Sequence, residues 1–68
     1  MGFYVYKGNK ELGKEALGTS GRMIWRDLKT SRGAIKRARS IFKGKSFMIY
    51  AFSNFYNDNT FRLVHEER

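Results

Sequence analysis

The chain has 68 residues, with fourteen Lys and Arg against six Asp and Glu, so its formal net charge is +8. The length predicts one small domain over residues 1–68, and the lack of cysteine excludes disulfides and thiolate metal sites. Six Phe, four Tyr and one Trp supply the large apolar side chains that so small a core needs.

The excess of cations predicts attraction to an anionic partner, such as nucleic acid or an acidic protein surface. No apolar run approaches the ~20 residues of a membrane span. The first residues lack the basic and then apolar order of a signal peptide. We therefore expect a cytoplasmic protein without a membrane partner.

The first strand is predicted at Phe3–Tyr6, where aromatic and β-branched residues follow one another. Strand alternation places Phe3 and Val5 on one face, and Tyr4 and Tyr6 on the other. Residues 7–10 are typical of a turn, and a hairpin back through residues 11–12 is an option.

Residues 13–22 are hard to interpret because Gly13, Gly18 and Gly21 interrupt any regular pattern. The segment 18–22 could present backbone amides to a phosphate, but we interpret it as an ordinary connection. Residues 23–28 are apolar at spacings that allow one helical turn, and a strand is the alternative. We expect a helical turn or an irregular segment, with Trp25 partly buried.

Residues 30–44 show the helical period most clearly. Thr30 or Ser31 can cap the first turn, and Gly44 suits the left-handed residue after the helix. At about 100° per residue, five apolar side chains form a core-facing stripe: Ala34, Ile35, Ala38, Ile41 and Phe42. A second arc carries only cations, here called the cationic stripe: Arg32, Lys36, Arg39 and Lys43. Arg37 lies apart, on the other flank of the apolar residues.

Residues 46–52 are apolar on both faces and predict a central strand. A turn at residues 53–59 leads to a returning strand at residues 60–65. Regular alternation there assigns Phe61, Leu63 and His65 to one face, and Arg62 and Val64 to the other.

These elements predict an α+β fold in the order β-(irregular)-α-β-β. One amphipathic helix would cover one face of a three-stranded, mainly antiparallel sheet. The residues expected beneath the helix are Phe3, Val5, Phe47, Ile49 and either Phe61 or Leu63.

Catalytic chemistry has little support in the residues. His65 is the one histidine and cysteine is absent, so neither a zinc site nor a cysteine nucleophile can be assembled. We expect no enzyme activity, no metal and no cofactor.

The cations favour a small nucleic-acid-binding module with little sequence specificity, because a regular line of cations matches a phosphate backbone. The predicted phosphate contacts are Lys29, Arg32, Lys36, Arg39 and Lys43, with Arg22 and Arg26 as auxiliaries.

The sheet face away from the helix is the second candidate site. This face carries the rings of Tyr4, Tyr6, Tyr50 and Phe52. If exposed, these rings could stack bases, form a homodimer or bind another protein; the alternative is that residues 12–28 cover them. The alternative function is a phage-type inhibitor or adaptor that docks on an acidic surface of a host protein, with these rings as anchors.

Overall fold

Four strands form one antiparallel sheet in the computed structural model, which describes residues 2–8 and 22–68. In spatial order β2-β1-β3-β4, each strand pairs with its neighbours. Their bounds are β1 Gly2–Lys7, β2 Met23–Trp25, β3 Phe47–Phe52 and β4 Arg62–Glu67. The α+β class is confirmed, and the predicted number of three strands is corrected to four. The predicted hairpin at 11–12 and the segment 12–21 lie outside the described residues.

Strand β2 replaces the helical turn or irregular segment expected there. Met23–Trp25 pairs antiparallel with β1, and Trp25 lies opposite Phe3. Three residues are too few to show a period of two, so hydrogen bonding to β1 defines this strand and local sequence does not. Trp25 is buried in the core between sheet and helix.

Helix α1 spans Ser31–Ile41, and its N-cap is Thr30. The Thr30 side chain accepts a hydrogen bond from the Gly33 N–H at 3.2 Å, which satisfies one amide of the first turn. After Ile41 the chain turns, and Gly44 adopts the predicted left-handed conformation with φ +74°.

The helix packs closely on the sheet because Ala34 and Ala38 face it with small, fully buried side chains. Ile35 packs beside them, and the Phe42 ring stacks on Phe47 with centroids 5.8 Å apart. Ile41 was predicted in the same stripe but is 45% exposed. It is the last helical residue and lies about 60° from Ala38, on the flank of the stripe opposite Ile35.

The second face of the sheet is also buried, although the sequence left open whether it was covered. Its core contains Tyr4, Tyr6, Met48, Tyr50 and Phe52. Phe61 packs here, 4.9 Å from the Phe52 ring centroid, and not beneath the helix. The Tyr6 hydroxyl donates to Met48 Sδ at 3.2 Å. The pKa of Tyr6 is raised, mainly because the side chain is buried and secondarily because of its electrostatic interaction with Tyr50.

Strand β4 contains a bulge that breaks the alternation predicted for it. The partner of Ile49 is His65 and that of Tyr50 is Leu63, so Val64 is an extra residue. Leu63 and His65 consequently lie on opposite faces, although they were predicted on one. Val64 packs against the helix-side core, and Leu63 is 47% exposed on the other side.

Candidate nucleic-acid interface

Helix α1 runs from the end of the sheet where β3 finishes towards the end where β3 begins. Trp25 and Ala51 both pair with Phe3, so the chain leaves β2 where β3 finishes. Phe42 stacks on Phe47, which places the end of the helix beside the start of β3. One flank of α1 therefore faces β2, and the other faces β4.

On the β2 flank, Arg37 is held by two neighbours. Its Nη1 and Nη2 donate to the Asp27 carboxylate oxygens at 3.0 and 2.7 Å. Its Cζ lies 5.2 Å from the centroid of the Trp25 ring, a cation–π distance. The hydrogen bond from Arg37 lowers the pKa of Asp27. Arg37 is thus paired within the fold. This agrees with its predicted position around the helix, on the flank away from the cationic stripe.

On the β4 flank, Arg39 is shared with the sheet. Its Nε donates to Glu67 Oε1 at 2.9 Å, and His65 Nε2 lies 3.1 Å from the same oxygen. Both hydrogen bonds lower the pKa of Glu67, and the one from Arg39 has the larger effect. Arg39 stays largely exposed, but a phosphate contacting it would compete with Glu67.

The remaining cations along the helix carry no such restraint. The side chains of Lys29, Arg32, Lys36 and Lys43 are exposed. Within residues 2–8 and 22–68, no ion pair or hydrogen bond holds their charged groups. No acidic residue occurs between residues 29 and 45, whereas this segment contains seven cations: Lys29, Arg32, Lys36, Arg37, Arg39, Lys43 and Lys45. The segment itself therefore contributes only positive charge to the solvent side of α1.

Three residues of the cationic stripe line one shallow depression. Arg32, Lys36 and Arg39 surround an open space of about 510 Å³, with Ile35 as its apolar lining. At about 1.5 Å per residue, the stripe extends roughly 10 Å along the axis from Arg32 to Arg39. The arrangement offers several donors of positive charge to one elongated anionic ligand.

The two auxiliary cations lie apart from the stripe. The Arg26 Cζ lies 5.7 Å from the ring centroid of Phe52 and 5.9 Å from that of Phe55. Arg22 is exposed, precedes β2 and has an interaction partner of its own. The structure therefore does not bring all seven predicted phosphate contacts together: Arg32, Lys36 and Arg39 meet, while Arg22 and Arg26 lie elsewhere.

The four rings proposed as an aromatic face are buried. Tyr4, Tyr6, Tyr50 and Phe52 are each at most 8% exposed. Phe55 and Phe61 pack against this cluster from the connection between β3 and β4. A base that stacks needs an accessible ring face. The stacking or partner role of these four residues stays a prediction, and it requires that they become uncovered.

A different aromatic residue is exposed, and sequence reasoning missed it. Tyr56 is 90% exposed, and its ring meets the Phe55 ring edge-on at 5.5 Å. It belongs to the connection between β3 and β4, whose turn-forming residues predicted only a turn. No signal in the sequence distinguishes the outward ring of Tyr56 from the half-buried ring of Phe55 beside it.

The loop that carries Tyr56 is fixed by its own polar side chains. Asn54 Oδ1 accepts from the Tyr56 N–H at 3.0 Å, and Asn57 Oδ1 accepts from the Asn59 N–H at 3.1 Å. The Thr60 hydroxyl lies 2.8 Å from two carbonyl oxygens, those of Asn54 and Asn57, and accepts from the Asn54 N–H at 3.1 Å. These contacts span the loop and hold Tyr56 outward.

In comparisons with known proteins, no family model, characterised protein or solved structure matches this chain. In the described part of the chain, no group of three or more His, Cys, Asp or Glu is placed to hold a metal ion. No helix among the same residues combines the length and apolar character required to cross a bilayer.

Proposed function

We propose that this protein binds nucleic acid through the phosphate backbone, using the cationic stripe of α1 together with Lys29. The observation that carries the proposal is the division of the cations into two kinds. Arg37 is neutralised by Asp27 and Arg39 is shared with Glu67, whereas Lys29, Arg32, Lys36 and Lys43 are exposed without such partners in the described residues.

Charge alone would support only non-specific attraction, but these cations are also held in a defined arrangement on the surface. Arg32 and Lys36 lie on an exposed side of α1, whose buried side is fixed to the sheet by Ala34 and Ala38. Lys29 precedes the N-cap and Lys43 follows the last helical turn, so these two lysines extend the row of charge beyond the two ends of the helix. Arg32 can donate two parallel hydrogen bonds to a phosphate, while the lysines act as point charges. Contacts of this kind position a nucleic acid without reading its bases, so we expect weak sequence dependence.

The test is a titration of labelled 20-mers with the protein, followed by fluorescence anisotropy at 50, 100 and 200 mM salt. Duplex DNA, single-stranded DNA and single-stranded RNA are compared. Each neutralised phosphate contributes about 0.7 to 0.9 to the slope of log affinity against log salt. The four cations without partners in residues 2–8 and 22–68 predict a slope of about −3 to −4, which corresponds to roughly a 50- to 150-fold loss of affinity between 50 and 200 mM.

A matched pair of double variants separates the stripe from net charge. Arg32→Glu with Lys36→Glu reverses two stripe residues. Lys7→Glu with Arg68→Glu makes the same change in net charge at exposed positions off the helix, and it also removes the ion pair between Arg68 and Glu66. We expect the first variant to lose binding at 100 mM salt and the second to retain most of it, with unchanged far-ultraviolet dichroism in both. No binding at 50 mM salt, or equal losses in the two variants, would contradict the proposal.

The alternative of an inhibitor or adaptor that docks on an acidic protein surface uses the same cations. It predicts capture of a protein from nuclease-treated lysate at raised salt, together with no binding to the oligonucleotides. That combination of results would replace the present proposal.

A further inference from the structure

We infer that Tyr56 is a stacking site for an unpaired nucleic-acid base, so that the protein prefers single-stranded to duplex nucleic acid. This inference rests on the proposed function and adds the kind of nucleic acid and a residue outside the helix. It moves the stacking role from the buried rings of the sheet to the exposed ring of the β3–β4 loop.

The first support is that Tyr56 is presented in advance of binding. Its backbone N–H is bonded to Asn54, and the Thr60 hydroxyl ties the two ends of the loop together. Only two side-chain torsions of Tyr56 remain to be fixed when a ligand binds, so the cost in conformational entropy is small. A ring that is 90% exposed contributes little to the core, and the internal packing of the fold therefore does not account for it.

The second support is that arginines lie near the loop. The ring of Phe55 contacts Tyr56, and the Arg26 Cζ lies 5.9 Å from the centroid of the same Phe55 ring. Arg62, at the other end of the loop, is exposed and lines a depression of about 190 Å³ together with Thr60. The loop contains one acidic residue, Asp58. A stacked nucleotide would thus find a cation for its phosphate on either side.

The third support is that Arg62, which follows the loop, lies on the same side of the sheet as the cationic stripe. Arg62 pairs with Ala51, whose side chain lies in the helix-side core, so Arg62 is on the same side of the sheet as α1. Ala51 is at the end of the sheet from which α1 departs, and Arg32 is in its first turn. The Phe55 ring beside Tyr56 packs on the opposite face of the sheet, so a single strand that stacks a base on Tyr56 would have to cross this end of the sheet at Arg62 to reach the stripe.

Single strands are favoured over duplexes because a paired base is already stacked on its neighbours and has no free face for Tyr56. Removing an aromatic stacking partner weakens single-strand binding by about five- to 150-fold. The contribution is not ionic, so the slope of affinity against salt should not change when the ring is removed.

The test compares Tyr56→Ala with Tyr56→Phe, titrated with a 20-nucleotide oligo-dT and with a 20-bp duplex at 50 and 200 mM salt. We expect Tyr56→Ala to lose about five- to 150-fold for the single strand and less than about twofold for the duplex, at an unchanged salt slope. Tyr56→Phe should bind like the wild type because it keeps the ring. Melting temperatures of both variants, measured alongside, should match the wild type because Tyr56 is 90% exposed and meets the Phe55 ring edge-on at the loop surface.

The outcomes distinguish this inference from the function on which it rests. If Tyr56→Ala binds the single strand as the wild type does, while Arg32→Glu with Lys36→Glu does not bind, stacking at Tyr56 is wrong and phosphate binding stands. Equal losses for single strand and duplex would also overturn stacking, because the ring would then be contacting the backbone. If the wild-type protein binds neither oligonucleotide, both proposals fail. In that case, a protein that the wild type captures from nuclease-treated lysate and that Tyr56→Ala does not capture would assign the ring to protein docking.

Discussion

Lys36 and Arg37 are adjacent in α1, and two single variants, Lys36→Gln and Arg37→Gln, each remove one positive charge. The two side chains point to different flanks of the helix. Lys36 lines the depression beside β4, whereas Arg37 is bonded to Asp27 and lies over Trp25. A mechanism based on net charge alone predicts equal effects on nucleic-acid binding, but the structure predicts unequal ones.

The size of the difference follows from counting phosphate contacts. Lys36→Gln should reduce the magnitude of the salt slope by about 0.7 to 0.9, and it should weaken binding about five- to eightfold at 0.1 M salt if the contact contributes nothing at 1 M. Arg37→Gln should leave the slope unchanged. It should instead lower the melting temperature, because it removes both the ion pair with Asp27 and the contact with Trp25. Lys36→Gln should melt like the wild type.

Anisotropy titrations at four salt concentrations give the slopes, and thermal unfolding followed by dichroism gives the melting temperatures. The reasoning would be refuted if Arg37→Gln reduced the slope as much as Lys36→Gln. It would equally be refuted if Lys36→Gln destabilised the fold while Arg37→Gln did not.

Three further changes test the fold around the site. Thr30→Ala removes the acceptor for the Gly33 N–H and should cost about 0.5 to 2 kcal/mol in urea unfolding, with Thr30→Ser close to the wild type. Ala38→Leu overfills the contact between helix and sheet, and we expect a loss of about 1 to 3 kcal/mol in the same assay. The pKa of Glu67 is lowered by Arg39, so its stabilising contribution is present above its ordinary value of 4.5 and is lost as pH falls through the lower folded-state value. The difference in melting temperature between wild type and Glu67→Gln should therefore shrink below about pH 4.5, and Glu67→Gln should strengthen nucleic-acid binding at neutral pH by releasing Arg39. A pH-independent difference, or unchanged binding, would contradict this account of Glu67.

The elements predicted correctly are those whose pattern is local and long. The helix repeats its apolar residues over three turns, with a capping hydroxyl at Thr30 and a left-handed Gly44 after it. The strand Phe47–Phe52 has apolar residues on both faces, and it is central in the sheet. Such signals are contained in the sequence of the element itself, so neighbouring elements are not needed to interpret them.

The elements predicted wrongly depend on partners distant in sequence. Strand β2 exists because Met23–Trp25 hydrogen-bonds to β1, and no period is visible in three residues. The bulge at Val64 is set by the register between β3 and β4, which no local pattern records, and it moved Leu63 to the other face. The division of the candidate site has the same origin. The fold brings Asp27 to Arg37, whereas Lys36 lines the exposed depression and has no ion-pair partner among the described residues.

The position of Trp25 makes the protein convenient for spectroscopy. It is the one tryptophan of the chain, is 9% exposed, and lies under Arg37 on the flank of α1 that faces away from the cationic stripe. Its emission should therefore respond to unfolding and be nearly silent to a ligand that occupies the β4 flank. Intrinsic fluorescence and the anisotropy of a labelled oligonucleotide can then be recorded from one sample as separate signals, one for the integrity of the fold and one for occupancy of the stripe.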